Sequence, residues 1–273
     1  MRCAPLALLL ALSAALVDSH AAAATRSFVY TYESPVLDAG RSELVPWTTF
    51  RVGRGRYYSA LDGRLGFLHG FARGLQLGLY WDFRSETRDV VDDSLTQTLT
   101  RESYSEFASA AAELEYQLTD RRADVLGSAL YLQATLGPRQ SALEARVIVD
   151  RSVGKWLLAA NAVAKVKLAP IRGAQGSELE TALVLEPAVA AAFLLSDATS
   201  VGVELRAPIG VGGSAESATL FGGPVLRWAD QGAWAALGVA PQLLAFSGPS
   251  TGSRLDLNEH ERLEVRLLAG FSL

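Results

Sequence analysis

The sequence predicts an all-β chain, a transmembrane antiparallel up-and-down β-barrel of about twelve strands behind a cleaved leader. Three observations predict it: apolar residues recurring with period two, connections that alternate between short and long, and aromatics gathered at strand ends. The chain has 273 residues, 49% of them hydrophobic, yet 20% are charged and the net charge is only −4. So mild a charge, with no basic stripe, gives no footprint for nucleic acid. The single cysteine, Cys3, falls within the leader. Disulfides, thiolate metal sites and cysteine nucleophiles are thereby excluded from the mature chain.

The leader is 1–24. Arg2 opens it, Ala4 to Val17 form a small and apolar run, and Ser19-His20-Ala21 through Ala24 offer small-residue cleavage positions. The run is too short to span a bilayer as a helix. Residues 25–41 read as a periplasmic or lumenal lead-in that includes the β-like run Phe28 to Tyr32, and 42–273 as the barrel.

Strand signals follow at 42–52, 59–68, 74–84, 103–118, 124–136, 142–150, 155–168, 178–194, 199–209, 218–228, 232–246 and 261–273. In the third, Leu75, Leu77, Leu79, Trp81 and Phe83 alternate with Gln76, Gly78, Tyr80, Asp82 and Arg84. Successive side chains of a strand point to opposite faces, so each segment has one lipid-compatible face. Short turns are expected near 69–73, 119–123, 151–154, 195–198 and 229–231. Longer outer loops fall at 85–102, 169–177, 210–217 and 247–260, with Gly137-Pro138 a short exception. This places Phe67, Tyr116, Trp156, Phe193, Trp228 and Phe271 at the periplasmic membrane interface. Trp81, Phe83 and Tyr104 fall at the outer one.

Charged residues collect on the opposite face. Arg64, Asp82, Arg84, Glu113, Glu115, Glu144, Arg146, Lys165, Lys167, Glu178, Glu180, Glu204, Arg206, Arg227, Glu264 and Arg266 are expected to line the lumen. The reason is energetic: a charge facing lipid at the midplane costs roughly 2–4 kcal/mol. Such a lumen fits either a salt-bridge lattice stiffening a closed barrel or a hydrated pore for small solutes.

The C-terminal strand, alternating from Leu263 with Phe271 near its end, resembles the terminal signal read by the outer-membrane insertion machinery; Leu273, not an aromatic, comes last. The stretches Tyr30-Thr31-Tyr32-Glu33-Ser34-Pro35 and Pro46-Trp47-Thr48-Thr49 are similar to the start of uncharacterised proteobacterial barrel proteins. The resemblance implies an outer-membrane location in a Gram-negative cell and implies no activity. The expected partners are lipid, lipopolysaccharide, the insertion machinery and a small solute.

No catalytic, metal or cofactor site is expected. Glu113/Glu115 and Glu178/Glu180 share strand faces, but no cleft accompanies them. Asp89, Asp92 and Asp93 match no calcium loop. Gly210, Gly212 and Gly213 open no helix. His69 and His260 fall on opposite sides of the membrane, and a lipid-hydrolase reading needs His260 beside a serine and a polar orienter such as Asn258 or Glu259. Arg51, Arg54 and Arg56 crowd the first outer turn, where they either contact lipopolysaccharide phosphates or are simply solvated.

Overall fold

The computed structural model describes residues 26–91, 99–173, 176–212, 217–248, 250 and 252–273. The expected leader at 1–24, and Asp92, Asp93 and Gly213, lie outside them. The strands are β1 (Ser42–Val52), β2 (Tyr58–Ala72), β3 (Leu75–Val91), β4 (Leu99–Thr119), β5 (Gly127–Leu136), β6 (Ser141–Val153), β7 (Trp156–Gly173), β8 (Gly176–Leu194), β9 (Thr199–Arg206), β10 (Ile209–Val211), β11 (Ala218–Asp230), β12 (Ala233–Ser247) and β13 (Leu263–Ser272). Apart from β9 and β10, neighbours in sequence pair antiparallel, and β13 pairs β1, closing the sheet. β9 and β10 both lie between β8 and β11. They are two pieces of one stave, parted at Ala207-Pro208, where proline lacks the N–H a ladder needs. The barrel therefore has twelve staves.

Both ends of the chain's barrel portion share one rim with two-residue turns such as Arg73-Gly74 and Gln231-Gly232. Gly74 and Gly232 have φ of 76° and 77°, a conformation that suits glycine in tight hairpins. Short turns mark the periplasmic end of such barrels.

The wall is inside-out relative to a soluble protein. Leu65, Leu79, Leu132, Val147, Val203, Leu226, Leu237 and Leu267 are among the large apolar side chains exposed around the outside. Their inward neighbours include Glu113, Gln133, Glu144, Asn161, Glu204 and Glu264, all buried. Trp81, Phe83, Tyr116, Trp156 and Trp228 lie exposed on the outer surface, and Phe67, Phe193 and Phe271 share the outward parity of their strands. Trp156 meets Phe193 edge-on at 5.2 Å near one rim, and Phe83 meets Phe107 at 6.0 Å toward the other.

Tyr104 departs from its expected place. A bulge between Asp82/Phe83 of β3 and Ser109/Phe107 of β4 inserts Ala108. One extra residue swaps the two faces above it. Tyr104 therefore pairs with Glu86, with the Arg139 guanidinium 5.0 Å above its ring, and does not face lipid. The loops expected at 85–102 and 169–177 also prove largely extended, since β3, β4, β7 and β8 run past the outer rim as tall hairpins. Toward the outer end both faces carry polar residues, so alternation disappears from the sequence while the ladder continues.

Residues 26–41 add no stave. Residues 27–37 run inside the barrel, with every side chain from Ser27 to Ser34 buried to 8% exposure or less, and 38–41 are exposed at the rim beside Gly70.

Candidate functional site

Two regions divide the lumen. In the periplasmic half the N-terminal segment acts as a plug, and its backbone is satisfied largely by wall side chains. Glu204 accepts from three consecutive backbone N–H groups, those of Val29, Tyr30 and Thr31, at 3.0, 3.0 and 2.9 Å. Tyr32 exchanges two hydrogen bonds with the Asn161 side chain, at 2.6 and 2.9 Å. The Ser34 N–H and hydroxyl both donate to Asp150, and the Leu37 N–H donates to Gln76. Arg121 ties Glu33 to Asp150 at 2.9 and 2.7 Å.

Apolar contact supplements these bonds. Phe28 and Val29, fully buried, join a cluster with Leu157, Phe221, Trp234 and Leu268. Gly238 lies so close that a Cβ there would stand 2.4 Å from a Val29 methyl. Three arginines pack over rings of the segment and a fourth over rings of the wall beside it, a favourable cation–π geometry. Arg206 and Arg266 lie over Tyr30, Arg146 over Tyr32 and Tyr131, and Arg64 over Trp47 and Tyr80.

Above this layer the lumen is a vestibule of about 830 Å³. Val29, Tyr30 and Tyr32 form its floor, and Ser217, Glu259, His260 and Glu261 belong to its outer rim. Ion pairs link neighbouring staves. Asp62 is shared by Arg51 and Arg84, and Asp82 pairs Arg64 while accepting from the Ser109 hydroxyl at 2.6 Å. Glu144 holds Arg146 and Lys165, both at 2.5 Å, and Arg206 bridges Glu264 and Glu186 at 2.5 and 3.2 Å.

The charged residues expected in the lumen thus divide. Arg64, Asp82, Arg84, Glu144, Arg146, Lys165, Lys167, Glu180, Arg206, Glu264 and Arg266 line the vestibule. Glu113, Glu115, Glu204 and Arg227 are buried in the plugged half, where Glu113 accepts from Tyr80 and Arg227 donates to the Asp197 carbonyl at 3.1 Å. The Glu178 side chain lies outside the described part. Arg51 is expected at the outer turn and lines the lumen instead, while Asp62, Glu186 and Glu261 are not singled out by the sequence, although Asp62 and Glu186 share the strand parity of Arg64 and Glu180. Nor are the plug's anchors Asp150 and Asn161. Asn161 carried a signal, as the polar residue at an inward position in the apolar run 157–164.

The remaining candidates resolve locally. Arg54 donates to Glu261 at 2.7 Å and Arg51 approaches it at 3.5 Å, so two of the three arginines of the first outer turn face the lumen, and Arg56 is exposed. Asp89 pairs Arg101 at 2.8 Å. His69 meets the Ser42 hydroxyl near the periplasmic rim. At the other rim His260 Nε2 lies 3.0 Å from the Ser217 hydroxyl, and its ring packs edge-on against Phe221. Burial pushes this imidazole below its usual pKa, opposed by Asp256 and Glu261. Asp256 Oδ1 accepts from the Asn258 and Glu259 backbone N–H groups. Among the described residues no hydrogen bond joins a carboxylate or amide to His260, so a triad is not assembled.

A closed twelve-stave barrel with an apolar outer surface, a polar lumen and short turns on one side defines the class: a β-barrel of the outer-membrane, porin-like type. Among solved structures the chain is similar to an outer membrane channel from Pseudomonas putida F1, at 14% identity over 90% of this chain and 100% of that one, with a TM-score of 0.61. It is similar also to the NanC porin, at 10% identity over 84% of this chain and 100% of that one, with a TM-score of 0.55. At such identities the likeness is one of fold. No protein-family model matches the chain, and no curated protein matches it in sequence.

Proposed function

We propose that this protein is an outer-membrane channel for small solutes, its mixed-charge vestibule selecting what enters and its N-terminal segment acting as the inner gate. The observation that carries the reading is how the segment is held. Buried backbone N–H groups of an extended segment need acceptors, and here side chains supply them instead of a continuous strand ladder, so the contact is one that water can take over. Here the wall offers Glu204, Asn161, Asp150 and Gln76 to the plug's backbone. Water can replace each of those bonds when the segment leaves, and the wall left behind is wettable. Apolar contact at Phe28 and Val29 then sets how often the segment leaves.

The leader at 1–24 and the outward faces of β1 to β13 fit insertion from the periplasm, and Phe271 on the lipid side of β13 suits recognition by the insertion machinery. Lipopolysaccharide is the expected outer neighbour, with exposed Arg56 and Arg88 available to its phosphates.

Planar-bilayer recording of refolded protein, with and without residues 26–37, tests the gate. The full barrel is expected to open rarely and the truncated one to conduct steadily. A truncated barrel that folds, judged by heat-modifiable migration, yet passes no current would end the channel reading.

A further inference from the structure

The vestibule holds positive charge that its carboxylates do not neutralise. Lys167, on β7, has no carboxylate within 4.0 Å among the described residues, although it lines the cavity. Asp62, across the lumen, is already shared by Arg51 and Arg84. Of the charges acting on the Lys167 ammonium, Lys165 is the strongest and repels it, Glu186 comes next and attracts it, and Arg51 and Arg84 follow, both repulsive. Glu186 is itself engaged by Arg206. Like charges held around an open space raise the free energy of the empty site, and an anion placed between them removes that penalty. A lysine without a carboxylate partner, facing guanidinium groups across a polar cavity, is matched by an oxyanion.

We propose that Lys167, facing the Arg51–Asp62–Arg84 cluster across the vestibule, forms a binding site for a small solute carrying a carboxylate or phosphate oxyanion. The site deepens the channel reading by naming its solute class. It rests on that reading only in taking the vestibule to be open to solutes, not on passage through the barrel. The ligand's oxygens accept from Lys167 and are held in the positive field of Arg51 and Arg84, which share the single carboxylate of Asp62. About 830 Å³ accommodates a di- or tricarboxylic acid or a sugar acid with its hydration water.

Titration calorimetry on the full mature protein in a zwitterionic detergent tests the site, with sodium succinate and sodium phosphate as separate probes. Saturable binding of either is expected, and the probe that binds more tightly assigns the oxyanion. Lys167→Gln should weaken it about tenfold or more, the order expected for one hydrogen bond to a charged group. Lys167→Arg should restore most of the affinity. Lys155→Gln makes the same charge change at an exposed periplasmic turn and should leave binding as it was. Absence of binding by the folded wild-type protein, or equal weakening in both glutamine variants, overturns the proposal. Conductance in the same preparations separates the two readings: anion binding without current removes the channel alone, and current without anion binding removes this site alone.

Discussion

Replacing Glu204 by glutamine strikes the plug at its best-defined anchor. In the native barrel one carboxylate oxygen accepts from Tyr30 and Thr31, and the other accepts from Val29. A glutamine oxygen can keep the first pair as neutral bonds, but its NH₂ then confronts the Val29 N–H, donor against donor. Hydrogen bonds to a charged group contribute about 1.5–3 kcal/mol each and neutral ones about 1 kcal/mol, so the change weakens the docked state by at least about 2 kcal/mol. At 1.36 kcal/mol per factor of ten, the undocked population rises roughly thirtyfold. The wall is unharmed, because Glu204 is an inward residue whose backbone pairing with β8 and β11 stays intact. Single-channel recording reads the effect as open fraction, with Glu102→Gln, at an exposed position of the β3–β4 hairpin, as the charge-matched control. An open fraction for Glu204→Gln within threefold of wild type would refute the anchor argument.

Two further outcomes follow from the wall and the rim. Leu132 faces outward from the middle of β5 at 50% exposure, so Leu132→Arg should destabilise the inserted barrel by about 2–4 kcal/mol in urea titrations on vesicles. Thr135→Arg, at a position lining the vestibule, should cost far less. His260 binds its proton more weakly folded than unfolded, so its contribution to stability is present above the unfolded value near 6.5 and is lost as pH falls through and below it. Protection against hydrogen exchange at 252–262, corrected for the intrinsic pH dependence of exchange, should therefore fall between pH 7.5 and 5.5, and His260→Gln should remove most of that fall.

The staves were legible because lipid and lumen impose opposite demands on alternate residues, and β1 was predicted residue for residue. Legibility failed where that contrast stops. Toward the outer end Ser85, Glu86, Thr87 and Arg88 extend β3 with polar residues on both faces, although Glu86 is buried, and nothing in their pattern separates strand from loop. The Ala108 bulge flipped Tyr104 because parity counted along the sequence cannot detect one extra residue. Most instructive is the plug. Phe28 to Tyr32 has the composition of a strand, and only the absence of a free stave beside it, since β13 already closes on β1, turns it inward. Its anchors were visible as polar residues at inward positions, but their partner is a backbone, which carries no sequence signature. The ion-pair lattice was foreseen by sign and face; that Asp62 and Glu144 would each hold two cations depended on register.

Residues 27–34 occupy the lumen of the resting barrel, and an engineered disulfide between that segment and the wall probes this placement. A Cβ built on Gly238 lies 3.5 Å from the Val29 Cβ, within the range a disulfide spans. The sole native cysteine, Cys3, falls in the expected leader, so Val29→Cys with Gly238→Cys adds the only thiol pair to the mature chain. This pair is expected to oxidise readily in the folded protein, the oxidised barrel to stay shut in bilayer recordings, and a reductant to restore its openings. Failure of the pair to cross-link, or currents identical before and after reduction, would contradict a plug in the lumen.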